Sequence, residues 1–264
     1  GNTYRLQGKK QGEAQKILIA NRGNIFDRKN TPLTRNIIHY NLAVHPSKIQ
    51  DKMSLAETIH KCTKRPIERY LKMMNSGKSF VYLERNLSKE TCSNLIKNPV
   101  PGLILERKTR RSYPHSNIAS QIIGCTDVDD NGLTGIEKKY DHLLQGTSGW
   151  VIKQRNGLGD LNPKNSFPTK PPIDGSNIQL TIDLEYQCIL QEELAKRMEQ
   201  TGAVGATGIL MNPHTGAILA MVSLPDFDPN HPENSETEYQ KIKSITDQFE
   251  PGSTFKIVAA TAAI

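Results

Sequence analysis

The rhythm of hydrophobic and polar positions changes along the chain. Ile37–Val44 and Phe80–Leu83 are short apolar runs rich in β-branched and aromatic residues, and each predicts a strand. Ser54–Lys64 and Ser88–Lys97 instead space their apolar residues three to four apart, as one face of a helix does. From Gly157 to Gly175 the pattern dissolves into Asn, Lys, Gly and Asp with Pro163, Pro168, Pro171 and Pro172, a poor helix or strand and a natural linker. Beyond it Ile178–Ile182 alternates like a half-buried strand. Asp183 then stands as N-cap of a helix with Leu184, Cys188, Leu194, Ala195 and Met198 near one face, ended by Thr201, Gly202 and Gly205. Two nearly unbroken apolar runs, Ala206–Met211 and Ala217–Ser223, flank Asn212-Pro213-His214-Thr215-Gly216. They predict a hairpin buried on both faces. Pro225–Pro232 reads as a loop, and residues 255–264 as an alanine-rich apolar helix suited to a domain interior.

The order of these elements predicts an α+β chain of two regions, residues 1–174 including the linker and residues 175–264. Composition narrows the class. With 36% hydrophobic and 23% charged residues among 264, the chain is neither disordered nor membrane-embedded, and no apolar run approaches the roughly 20 residues of a membrane span. Gly1–Lys16 lacks the apolar core of a signal peptide, so any export or anchoring segment is expected upstream. Net charge is +7, but the cations are scattered; the densest cluster, Arg107-Lys108-Thr109-Arg110-Arg111 beside Tyr113, matches no nucleic-acid motif and reads as a solvated basic surface. Cys62, Cys92, Cys125 and Cys188 show no metal spacing and read as small hydrophobes; in an oxidising compartment a Cys62–Cys92 disulfide stays open.

The candidate chemistry lies near the C-terminus, in Pro251-Gly252-Ser253-Thr254-Phe255-Lys256. A serine hydroxyl is a weak nucleophile and needs a group to take its proton. Positions i and i+3 share a helix face, so Ser253 at the helix start comes within reach of the Lys256 amine. The amine must be neutral to act as a base. The positive end of the helix dipole and burial in an apolar helix both favour that. Gly252 clears space for substrate, and the Ser253 N–H at the helix N-terminus is an oxyanion donor. Ser-x-x-Lys alone has little specificity; the apolar helix, the Pro-Gly before it and the hairpin upstream give it weight.

Phe249-Glu250-Pro251-Gly252-Ser253-Thr254-Phe255-Lys256 resembles the active-site segment of class B penicillin-binding proteins, in the form of the division-type transpeptidase. Leu180-Thr181-Ile182-Asp183 with Gln187, the Asn212–Met221 hairpin and Pro225-Asp226-Phe227-Asp228-Pro229-Asn230 resemble the blocks around it. Arg22-Gly23-Asn24-Ile25-Phe26-Asp27-Arg28, Arg111-Ser112-Tyr113-Pro114 through Ile123-Gly124, Gly135-Ile136-Glu137 and Gly146 resemble those of the N-terminal pedestal. The resemblance implies a mixed α/β pedestal domain followed by the N-terminal part of a β-lactamase-like transpeptidase domain with a central antiparallel sheet. It implies a D-Ala-D-Ala transpeptidase with Ser253 as nucleophile and Lys256 as general base, without metal or organic cofactor. The implied partners are peptidoglycan stem peptides, β-lactams, and division or elongation proteins docking on the pedestal, but no nucleic acid. The implied location is the outer side of the inner membrane, held by an upstream anchor. Arg22, Asp27, Arg28, Arg111 and Glu137 are then expected as pedestal ion pairs and hydrogen bonds, and Asp228, Asn230 and His214 as turn residues. The family's Ser-x-Asn and Lys-Thr-Gly motifs are not found among the 264 residues, so this chain alone is expected to be inactive with an incomplete transpeptidase core. A β-lactam sensor and a non-catalytic scaffold are the rival readings.

Overall fold

The computed structural model describes residues 13–155, 161–162, 169–248 and 250–263. Backbone contacts divide the chain into two compact units, one of Arg35–Ser112 and one formed by the segments on either side of it. Elements of both helix and strand type run through each, and the fold is α+β as expected.

The Arg35–Ser112 unit is built on a three-stranded antiparallel sheet. Arg35–Val44 lies in the middle, with Val81–Leu87 on one side and Leu103–Ser112 on the other. Both predicted strands are present and longer than their apolar cores. The third was hidden, because the basic cluster at 107–111 is a strand whose cations interrupt the apolar alternation. Arg107 and Arg110 are exposed as expected of a solvated surface, but Arg111 is buried and donates to Asn36 Oδ1 at 3.0 Å. Helix Lys52–Thr63 is capped by Asp51, whose carboxylate accepts from Ser54 N. It packs with Ile67–Met74, a helix the apolar spacing did not reveal. Of the predicted Ser88–Lys97 helix only Ser93–Lys97 is helical; the rest is turn. Leu42, Val44, Leu55, Ile59, Tyr70 and Leu83 form the core. Glu84 is buried beside it, and Arg65, Arg69 and the Tyr70 hydroxyl all reach its carboxylate, at 3.0, 2.8 and 2.8 Å.

The second unit contains strand pair Glu13–Leu18 and Gly149–Arg155, and a short parallel pair, Ile25–Phe26 with Ile178–Gln179. Ile25, Leu33, Tyr113, Ile123, Leu144 and Phe227 form its core. The second half of the expected linker is bonded to this body: Thr169–Lys170 pairs with Trp150–Val151, and Asn21 donates to the Asp174 carboxylate. At Gly175 an added Cβ would stand 1.7 Å from the Leu144 carbonyl oxygen, so backbone approach requires glycine there. Gly157–Asp160 and Pro163–Pro168 lie outside the described residues.

Helix Leu184–Thr201 follows, started by Asp183 accepting from Glu185 N and closed by Gly202 in the left-handed conformation (φ 68°). It covers one face of the hairpin Ala206–Met211 and Ile218–Leu224, closely enough that a Cβ on Gly208 would meet Leu194 at 2.9 Å. The hairpin is not buried on both faces as its composition predicts. Ala220, Val222 and Leu224 are buried, but Ile209 and Met211 are 51% and 55% exposed. Among the described residues the outer edge of Ala206–Met211 pairs with no strand.

Candidate acyl-transfer site

Three buried amides hold the hairpin that precedes Ser253 in the chain. The most buried residues of the Leu184–Thr201 helix are Gln187 and Gln191, while Ala195, expected on the packed face, is exposed. Gln187 Nε2 donates to the Met221 carbonyl and its Oε1 accepts from Met221 N, both at 2.8 Å. One side chain thus occupies the free edge of Ile218–Leu224 as a strand would. Thr181 Oγ1 and Asp183 N donate to the carbonyls of Ile218 and Leu219 along the same edge, and Gln121 Nε2 donates to Ser223 O and Tyr239 O. Apolar periodicity cannot reveal such residues, because they are buried for their amides.

The loop after the hairpin is fixed in the same way. Asp226 Oδ2 accepts from Gln191 at 2.6 Å and Asn117 at 2.9 Å, but burial outweighs these bonds and pushes its carboxyl above the ordinary aspartate range. Asn230 exchanges two hydrogen bonds with the backbone of Tyr113 and is itself held by Asp228, which places both in the turn roles expected. His214 is likewise an exposed turn residue, its N–H donating to Asn212 Oδ1.

Of the pedestal residues expected to pair, Arg22 and Glu137 do so at 2.7 Å, with side chains 3% and 0% exposed. Asp27 folds its own loop, accepting from Lys29 N and Thr31 N, and reaches Leu184 N. Arg28 departs from expectation. Its side chain is exposed with no ion pair among the described residues, and it contributes through its backbone, its N–H donating to Ile182 O.

At the candidate site itself, Gly252–Phe255 forms a 3₁₀ turn that runs into helix Lys256–Ala262. Lys256 N–H donates to the Ser253 carbonyl, so the two residues stand one turn apart, as the spacing predicts. Gly252 has φ 55° with no atom near its missing Cβ. Its glycine is therefore explained by backbone conformation, besides any space it leaves for substrate. The expected burial of Lys256 is not found: every described residue from Glu250 to Ala263 is exposed, with Phe255, Ile257 and Val258 at 60%, 70% and 56%. The helix is apolar, yet no described element covers it.

All four cysteines are free thiols, with Cys92 and Cys125 fully buried as small hydrophobes. Burial, with nearby Cys62 adding to it, pushes the Cys92 thiol up to about 11. Among the described residues no group of three or more His, Cys, Asp or Glu side chains is placed to hold a metal, and no helix is long and apolar enough to cross a membrane.

The family model for the penicillin-binding protein dimerisation domain matches residues 17–180, and that for the penicillin-binding protein transpeptidase domain matches residues 206–264. The chain belongs to the class B penicillin-binding proteins. It is 29% identical over 259 residues to the probable peptidoglycan D,D-transpeptidase PenA of Neisseria meningitidis, covering 97% of this chain and 45% of that protein. Its fold is similar to penicillin-binding protein 2X of Streptococcus thermophilus (TM-score 0.64, 22% identity, 86% of this chain and 38% of that one). It is also similar to a chain from the complex of penicillin-binding protein PBP2 with MreC of Helicobacter pylori (TM-score 0.62, 24% identity, 83% and 44%). The chain spans about half the length of the curated relatives it matches. The dimerisation-domain match includes the whole Arg35–Ser112 unit and the segments flanking it, while Ser253 and Lys256 fall inside the transpeptidase match.

Proposed function

We propose that this chain carries the pedestal, residues 1–174, and the first part of the transpeptidase domain, residues 175–264, of a peptidoglycan D,D-transpeptidase. The observation that carries the reading is a Ser-x-x-Lys pair set one turn apart at a helix start within the transpeptidase match. Ser253 Oγ attacks the carbonyl carbon of the penultimate D-alanine of a stem peptide while the Lys256 amine takes the hydroxyl proton. The Ser253 N–H supports the oxyanion, the C–N bond breaks, and the terminal D-alanine leaves with a proton on its amine. An amine of a neighbouring stem peptide then resolves the acyl-enzyme and forms the cross-link. A β-lactam acylates the same serine. Lys256 becomes a base when substrate and the covering parts of the domain dehydrate its amine.

The form of Glu-Pro-Gly-Ser-Thr-Phe-Lys favours a septal role, with the enzyme anchored in the inner membrane and its domains outside it. By itself this chain is inactive in this reading, because it carries neither Ser-x-Asn nor Lys-Thr-Gly. A docking role for the pedestal accompanies the enzymatic one, supported by the MreC complex of the Helicobacter relative. Labelled penicillin tests the assignment. The full-length protein should be acylated, Ser253→Ala should abolish labelling, and Lys256→Ala should slow it severely. Normal labelling of Ser253→Ala would refute the nucleophile, and efficient labelling of the 264-residue chain would refute the inactivity of this piece.

A further inference from the structure

Charge is unevenly shared between the two units. Arg35–Ser112 holds 16 Lys and Arg against six Asp and Glu, a net +10, whereas the whole chain nets +7, so the flanking segments together carry −3. Such asymmetry points to a partner of opposite sign. Away from the basic cluster at 107–111, a cleft of about 440 Å³ opens between the turn after Val44 and the one after helix Ile67–Met74. It is lined by Ser47, Lys52, Asn75, Gly77, Lys78 and Ser79 among others, and by no Asp or Glu. Its volume lies within the range of about 300–1,000 Å³ typical of small-ligand sites.

The donors of this cleft are held in place and only partly used. Lys52 is half-buried, and its ammonium donates to Asn75 Oδ1 at 2.8 Å and to the Met74 carbonyl at 3.4 Å, which leaves one of its N–H groups over. Lys78 is exposed, with no ion pair among the described residues. Gly77 takes the left-handed conformation (φ 76°), and the N–H groups of Gly77, Lys78 and Ser79 meet no acceptor among the described residues. One end of the cleft is aromatic. His45 and Phe80 adjoin its two walls in the chain and the walls are tied there, His45 Nδ1 donating to the Ser79 carbonyl at 2.9 Å. A carbonyl only accepts, so Nδ1 carries the hydrogen, and in the neutral ring Nε2 is an acceptor. Phe80 stands edge-to-face between His45 at 5.2 Å and Tyr82 at 5.1 Å, all three half-buried.

We propose that this cleft binds an uncross-linked peptidoglycan strand, an N-acetylated glycan whose stem peptides end in free carboxylates. Lys52 and Lys78 take the carboxylates, the turn N–H groups and His45 Nε2 take amide and hydroxyl groups, and sugar rings lie against Phe80 and His45. The two ends of the cleft select for the combination. A lipid phosphate or an acidic peptide would leave the aromatic end unused, and a neutral glycan would leave the lysines unused. The inference rests on the peptidoglycan part of the proposed function, to which it adds a holding site on the pedestal, and it does not depend on Ser253.

The test uses the 264-residue chain with soluble uncross-linked glycan–peptide fragments, read by calorimetry and amide exchange. The fragments should bind and slow exchange at Gly77–Phe80. The glycan stripped of its peptides, and the peptides freed of glycan, should each bind about tenfold more weakly. Lys78→Glu should weaken fragment binding about tenfold. Lys61→Glu makes the same change of charge about 14 Å along helix Lys52–Thr63 from Lys52, and should leave binding unchanged. Both lysines are exposed, so neither variant threatens the fold. Equal loss in the two variants would reduce the effect to net charge and overturn the cleft. So would protection confined to other residues, or binding of polyglutamate or phosphatidylglycerol vesicles in preference to the fragments. Absent fragment binding with normal penicillin labelling of the full-length protein would sink the cleft alone, whereas fragment binding without labelling would count against Ser253 alone.

Discussion

Removing Glu137 should expose how the pedestal is held. Its carboxylate is fully buried and accepts from Arg22 Nε at 2.7 Å, while Arg22 also donates to Asp130 O, Glu137 O and the Asp141 carboxylate at 2.8, 3.0 and 2.8 Å. Breaking a buried pair from one side costs about 3–5 kcal/mol, because the other charge is left without compensation. In Glu137→Ala the guanidinium keeps Asp141 and the carbonyls, so the loss belongs near the lower end, about 3 kcal/mol. In Arg22→Ala the carboxylate of Glu137 stays buried without its cation, and the loss belongs near the upper end, about 5 kcal/mol. Glu137→Gln retains an acceptor and should cost less, about 1–2 kcal/mol. Trp150, the single tryptophan, lies in the same unit, so urea unfolding followed by its fluorescence reads these losses directly. The double alanine variant should be less destabilised than the sum of the single ones, since neither charge of the fully buried pair is left orphaned. A Glu137→Ala protein within about 0.5 kcal/mol of wild type, or an additive double variant, would refute the argument.

Other substitutions test the frame of the site. Gln187→Ala strips the Met221 N–H and C=O of their partners and should cost about 2–3 kcal/mol, with faster amide exchange at Met221 while Ile209 across the hairpin is less affected. Asp226 titrates above the ordinary range because it is buried, so its contribution is fully present below the unfolded value near 3.8 and is lost as pH rises through the folded one. Asp226→Asn should therefore raise the melting temperature at neutral pH, with the gain shrinking under acid; equal effects at both pH values would count against the burial argument. Gly175→Ala places a methyl 1.7 Å from the Leu144 carbonyl oxygen and should sharply reduce soluble yield, whereas unchanged yield and melting would show that this junction relaxes.

The elements legible in the sequence are those whose own residues state their ends. Asp183 and Gly202 bound the long helix because capping is local, and the Asn212–Gly216 turn announces the hairpin. The strand Leu103–Ser112 escaped notice because its cations, paired across to Arg35–Val44, carry no apolar alternation. The burial of Gln187 and Gln191 was not legible for a related reason. A buried glutamine satisfying a strand edge has the same sequence signal as an exposed one, and only the edge it meets distinguishes them. The overestimated burial of Ala206–Met211 and of the Lys256 helix has the opposite cause. An apolar run reports what a segment would cover itself with, not whether the covering element is there.

The candidate site separates the same two kinds of information. That Ser253 and Lys256 stand one turn apart follows from Gly252 at φ 55° and the 3₁₀ turn it opens, interactions confined to a few neighbouring residues. Spacing alone is enough to read that geometry. The proton affinity of the lysine is a property of its surroundings, because a neutral amine at physiological pH needs a dry, uncharged environment. In this chain the helix carrying it is exposed along its described length, so the proposed nucleophile and base share one turn with no described surface around them. The proposed acyl transfer thus depends on surfaces that cover Phe255, Ile257 and Val258, and those surfaces would set the reactivity of Ser253 as much as the spacing does.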